Sequence, residues 1–166
     1  MTRGAHSVDF TDVDAPFLLR AGYRLHLIRA IEEAARRLYL QGRLPGSSYD
    51  GRGQEATAVC AALSMGPDDV ASPLIRDMAV HLVRGVTPTE FLCHYLGKAG
   101  GPMDGRDGNI HLGSFRHGTL SMISHLPEML PVAMGVALAR QRRGVSSVAV
   151  GFCGDGAAAG ASSTRR

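Results

Sequence analysis

The stretch "SSVAVGFCGDGA" near the end of the chain constrains the fold more than any other. Val145 to Phe152 is an apolar, partly β-branched run ending in glycine, the pattern of a buried strand in a parallel sheet. Gly154-Asp155-Gly156 then turns the chain. The preceding segment "LPEMLPVAMGVALARQRRG" reads as a helix after Pro131, with Gly144 as its stop. Helix, strand, glycine turn and a following helix specify an α/β protein.

The segments upstream supply its other layers. Residues 1 to 14 are polar and are expected to be a flexible end; residues 15 to 166 are read as one domain. Pro16 opens a long helix through "PFLLRAGYRLHLIRAIEEAARRLYLQG", with Leu18, Ala21, Leu25 and Ile28 on one face and Ile31, Leu38 and Tyr39 widening it. Glu32 with Arg36, and Glu33 with Arg37, have the spacing of helical ion pairs. "QEATAVCAALSM" is a short helix of small residues, and "VASPLI" a short strand. "TPTEFLCHYLGK" starts with a cap at Thr87, Pro88 in the first helical position and Glu90 closing a capping box. The glycine-rich segment from 97 to 125, which carries His111, His117 and His125, is expected to be an irregular loop lining a cleft.

Composition excludes several function classes. The 166 residues carry a net charge of +3, with 5% aromatic residues and no basic block interleaved with aromatics, so nucleic acid is not expected as a partner. No apolar run is long enough to span a bilayer. Cys60, Cys93 and Cys153 stand far apart and are read as small buried residues in a reducing cytoplasm. The opening "MTRGAHSVDFTDVDAP" has neither the apolar stretch of a signal peptide nor the composition of a transit peptide.

Two chemistries could use the glycine turn. Gly154, Gly156 and Gly160 form a loose variant of the dinucleotide fingerprint. Alternatively, Asp155 at the carboxyl end of a parallel strand could hold magnesium, with flanking glycines letting the backbone approach a diphosphate. A plain strand-to-helix turn, with Asp155 capping the next helix, explains the residues equally well.

The wider order of motifs is more specific. "LYLQGRLPG…GQEATAV…PDDV…IRD…RGVTPTEFL…GRDGNIHLG…SHLPEMLPVAMGVALA…GFCGDGA" resembles the α chain of the first, decarboxylating component of 2-oxo acid dehydrogenase complexes. The likeness runs from about Phe17 to Ala157. It implies the N-terminal part of a thiamine diphosphate-binding fold, helices plus the start of a parallel sheet. Thiamine diphosphate and magnesium are the implied cofactors. The implied partners are a β chain, with which family members form heterotetramers, and a lipoyl-bearing acyltransferase.

The resemblance also assigns residues. Asp155 matches a magnesium ligand, Gly156 and Ala157 match backbone contacts to the diphosphate, and Arg76 matches a diphosphate ligand. Ser124 and Leu126 align with positions whose main chain holds the aminopyrimidine ring, and His111 with a histidine near the active-site channel. No catalytic residue is assigned to this chain. Arg76 and Asp155 are therefore expected to converge on one diphosphate-sized pocket. Ile75 stands where the family has a tyrosine, and Met78-Ala79 where it has His-Gly. After Ala157 the likeness gives way to "AAGASSTRR", which implies an α chain truncated at its C-terminus and inactive alone. A non-catalytic interaction module and a small dinucleotide-binding domain are the alternative readings.

Overall fold

Helix α1 runs from Ala15 to Leu40, with Pro16 in its first turn as expected, and it is capped by Asp14, whose carboxylate accepts a 2.7 Å hydrogen bond from the Phe17 amide. The computed structural model describes residues 13–107 and 111–159. Nearly all of the N-terminal segment, part of "GRDGNIHLG", Gly160 of the loose fingerprint and "GASSTRR" lie outside the described residues.

The inner face of α1 carries Ala21, Ile28, Ile31 and Ala35, all buried. Glu32 is buried too, 5% exposed, which corrects the expected surface pair with Arg36. Its carboxyl points inward and accepts from the Gly51 amide at 2.9 Å. Glu33 faces Arg52 at 3.8 Å. Leu18, expected on the buried face, is 52% exposed.

Helix α2 spans Glu55–Leu63, and its small buried residues Ala58, Val59 and Ala62 let it pack closely against α1. Glu55 at its start is tied to α1 by Arg29, whose Nε donates at 2.7 Å. Strand β1, Val70–Ser72, is buried throughout. Helix α3, Met78–Val83, packs on α1 and α2. It carries no periodic signal in the sequence, because six residues are fewer than two turns. Helix α4, Pro88–Tyr95, has the expected capping box: the Glu90 amide donates to Thr87 Oγ1 at 3.2 Å, and the Thr87 amide to the Glu90 carboxylate at 2.8 Å. Phe91 and Tyr95 stack in the core, their ring centroids 4.6 Å apart.

The segment after α4 is irregular, as expected, apart from a 3₁₀ turn at Phe115–His117. Part of it completes the sheet. The Ala71 amide donates to the Gly118 carbonyl, and the Leu120 amide to the Ala71 carbonyl, each at 2.8 Å. Along its other edge β1 pairs in parallel with β2, Ala149–Gly151, in the register Val70↔Ala149. Helix α5, Met129–Arg142, covers both strands around a small second core of Val70, Leu120 and Ala133. A short helix α6, Asp155–Ala158, follows.

The architecture is α/β with a parallel sheet, as expected. Strand β2, however, is three residues long and half-buried to exposed, not a buried run from Val145 to Phe152. Among the described residues, α5 covers one face of β2 and β1 one edge. Val145 and Val148 are 40% and 56% exposed.

Candidate functional site

Strands β1 and β2 run in parallel, so their carboxyl ends open on the same side. Open α/β sheets bind ligands there. After β1 the chain turns through Leu74–Asp77; after β2 it turns through Phe152–Gly154 into α6. Between the two turns lies a cleft of about 390 Å³ lined by Leu74, Ile75, Arg76, Asp77, Phe152, Cys153, Gly154 and Ala157. Gln54 and Thr57 of the α2 start and Leu126 before α5 close its sides.

Arg76 is held by a short preceding segment. Its Nη1 donates to the Asp50 carbonyl at 2.8 Å, and its guanidinium lies over the Tyr49 ring, 5.7 Å from the centroid. A Cβ on Gly51 would overlap the Arg76 carbonyl oxygen, so residue 51 must be glycine for the two backbones to approach. The turn itself is fixed by Asp77, whose carboxylate accepts from the Leu74 amide at 3.0 Å and from Gln54 Nε2 at 2.9 Å. Burial pushes the Asp77 carboxyl above its ordinary range, and these two hydrogen bonds oppose that rise.

Arg76, Leu126 and Ala157 thus meet in one cleft although they are far apart in sequence. Asp155 and Gly156 belong to the same turn as Gly154 and Ala157 but are not among the cleft's lining residues. Asp155 is exposed, and one of its carboxylate oxygens accepts from the Gly156 amide at 2.8 Å. The expected convergence therefore involves Arg76 and the turn, with the Asp155 side chain outside the lining. Ser124 and His111 form a separate pair. His111 Nε2 lies 2.8 Å from Ser124 Oγ, and its Nδ1 lies 3.3 Å from Asp107. Neither lines the cleft, although Leu126, two residues after Ser124, does.

Sequence reasoning missed Gln54, Asp77 and Phe152 as parts of this cleft. Asp77 directly follows Arg76, and an acid next to an arginine was the available signal. The cysteines also depart from expectation: Cys60 and Cys93 are half-buried, while Cys153 is exposed at the cleft. Among the described residues, no three His, Cys, Asp or Glu side chains are grouped to hold a metal ion. No helix among them is long and apolar enough to cross a membrane.

Residues 23–163 match the family described as dehydrogenase E1 component. The chain belongs to this family. The α subunit of acetoin:2,6-dichlorophenolindophenol oxidoreductase from Cupriavidus necator is 29% identical over 145 residues, which cover 87% of this chain and 44% of that protein. The mitochondrial 2-oxoisovalerate dehydrogenase subunit alpha 1 of Arabidopsis thaliana is 30% identical over 149 residues, 89% of this chain and 31% of that one. The pyruvate dehydrogenase E1 component subunit alpha of Zymomonas mobilis is 31% identical over 147 residues, covering 87% and 41% respectively. The chain spans less than half the length of these curated relatives. Within the dehydrogenase E1 component family its matched region includes every element from the middle of α1 to α6, and so both turns of the cleft.

Proposed function

We propose that this chain supplies the diphosphate-binding side of a thiamine diphosphate-dependent 2-oxo acid dehydrogenase. One observation carries the reading: Arg76, Gly154 and Ala157 line a single cleft at the carboxyl ends of two parallel strands. Its residues fit such a cofactor. A guanidinium and a glycine-containing turn suit a diphosphate, and Leu74, Ile75, Leu126 and Phe152 suit a flat heterocycle. Ile75 offers no hydroxyl to the phosphates, so Arg76 is the cleft's main anchor for an anion. Asp155 is the one carboxylate of the turn, and a magnesium ion there would take its other oxygen ligands from the diphosphate and water.

When bound, thiamine diphosphate supplies the electron sink for decarboxylation of a 2-oxo acid. The chain's own residues bind and orient. Arg76 neutralises the diphosphate, and the apolar wall keeps water from the ring. The Ser124 and Leu126 main chain would border the aminopyrimidine. His111, fixed between Asp107 and Ser124, would stand toward the entrance. Relatives named for pyruvate and 2-oxoisovalerate favour a short 2-oxo acid as substrate. A β chain and a lipoyl-bearing acyltransferase complete the reading as partners, in the cytoplasm. The exposed apolar side chains of Met134, Leu138 and Val148 favour a partner surface on α5 and the segment leading into β2.

The test is a titration of the isotopically labelled chain with thiamine diphosphate and magnesium, followed by NMR. Signals of Arg76, Gly154 and Ala157 are expected to move together, with Arg76→Ala abolishing the response. No response in the wild-type chain overturns the reading. An equal response to NAD at the same residues would favour the dinucleotide-binding alternative.

A further inference from the structure

Glu32 is an acid in a place that packing alone does not call for. It lies mid-way along α1 in the apolar core, surrounded by Ile28, Ile31 and Ala35. One carboxyl oxygen accepts from the Gly51 amide at 2.9 Å. The other is buried with no hydrogen-bond partner among the described residues. Burying such a group costs free energy that a leucine or methionine there would not. The retained feature is the bond to Gly51.

Gly51 is the last of three consecutive residues that grip Arg76. Tyr49 presents its ring to the guanidinium, Asp50 gives its carbonyl to Nη1, and Gly51 abuts the Arg76 carbonyl. The loop before α2 contains Gly46, Ser47, Ser48, Gly51 and Gly53 and has no regular structure from 43 to 51. Such a segment is floppy unless something pins it. Leu44 anchors the start of the loop in the core, and the Glu32 carboxyl is the pin at its Gly51 end.

We propose that Glu32 is a positioning residue for Arg76: its buried carboxyl seats Gly51, and the Tyr49–Gly51 segment thereby holds the Arg76 guanidinium at the mouth of the cleft. The inference rests on the reading of Arg76 as an anion ligand for its purpose, though not for its geometry. Glu32 touches no ligand and acts only through the loop.

Two variants of the full chain separate positioning from packing. Glu32→Gln keeps an acceptor oxygen for the Gly51 amide. Glu32→Leu keeps the volume and removes the acceptor. Amide exchange at Gly51 and the Nε–Hε signal of Arg76 are followed by NMR, with Val59 as a distant control in α2. Gly51 is expected to be protected in the wild type and in Glu32→Gln. In Glu32→Leu its exchange is expected to rise by about tenfold or more while the Arg76 signal averages toward that of a free side chain. Val59 should stay protected throughout. Inorganic diphosphate is then titrated into each form, and binding is expected to weaken about tenfold in Glu32→Leu and to be restored in Glu32→Gln.

An unchanged Arg76 signal in a folded Glu32→Leu overturns the proposal. An unprotected Gly51 amide in the wild-type chain overturns it even if the leucine variant does not fold. If Gly51 and Arg76 respond as expected but no form binds diphosphate, the positioning role stands and the cofactor reading fails.

Discussion

Arg76 and Asp50, 26 residues apart in sequence, are joined by a 2.8 Å hydrogen bond from the guanidinium to the main-chain carbonyl. A backbone acceptor does not depend on the side chain at position 50. It depends on the path of the loop, and that path depends on how closely residue 51 can approach Arg76.

Substituting Gly51→Ala tests this directly. The added Cβ would overlap the Arg76 carbonyl oxygen and approach the Glu32 carboxyl. The collision is with backbone, so it cannot be relieved by a rotamer change. A loss of about 1–3 kcal/mol is expected by chemical denaturation, as for other overpacked sites. The cleft's response to thiamine diphosphate should weaken in the same variant.

Stability should depend on pH through Glu32. Burial pushes its carboxyl from the ordinary 4.5 up to about 7, with Asp50 and Glu55 adding to the rise and the Gly51 amide and Arg29 opposing it. Tyr95 faces the same group from α4. The folded state therefore holds a proton that the unfolded state releases. This contribution is fully present below pH 4.5 and is lost as pH rises to about 7. The total is on the order of 3 kcal/mol. Denaturant melts across that window should show the decline in the wild type and a flatter profile in Glu32→Gln. Equal slopes in the two proteins would contradict the assignment.

Arg84 ties the turn before β1 to the 3₁₀ turn at Phe115–His117. Its guanidinium donates to the carbonyls of Gly66 at 2.7 Å, Asp69 at 2.8 Å and His117 at 3.1 Å. Lysine has a single nitrogen and cannot span these acceptors. Arg84→Lys is expected to cost about 1–3 kcal/mol, because partly buried carbonyls lose their partners. The lowered melting temperature should come with faster amide exchange at Gly118 and Thr119.

Met134 is 71% exposed on α5, and Leu138, one turn further, is 50% exposed. Both line the groove between α5 and the segment leading into β2. A patch of this kind promotes association. Met134→Lys should raise the monomeric fraction on size-exclusion chromatography and leave stability within about 0.5 kcal/mol. A large loss of stability would instead show that Met134 is a packed core residue.

The sequence by itself determined the elements whose causes are local. Pro16 starts α1, and Gly42, with φ of 67°, follows its end. The Thr87–Glu90 box starts α4, and Gly144, with φ of 71°, follows α5. These signals act over three or four residues, so they are legible in a string of letters. The glycine turn after β2 was legible for the same reason, because it terminates the apolar run, whereas the partner of β2, 79 residues upstream, was not.

Only the tertiary structure decided the rest. Glu32 and Arg36 have the spacing of an ion pair, yet Glu32 turns inward because Gly51, 19 residues away, offers it an amide. Strand β2 reads as buried, yet it is half-covered, because burial depends on which elements lie over a strand and not on its own apolarity. Arg76 and the Gly154–Ala157 turn share a cleft because two parallel strands end on one side. Each of these outcomes rests on contacts between segments far apart in the chain, and the spacing of residues along it carries no information about such contacts.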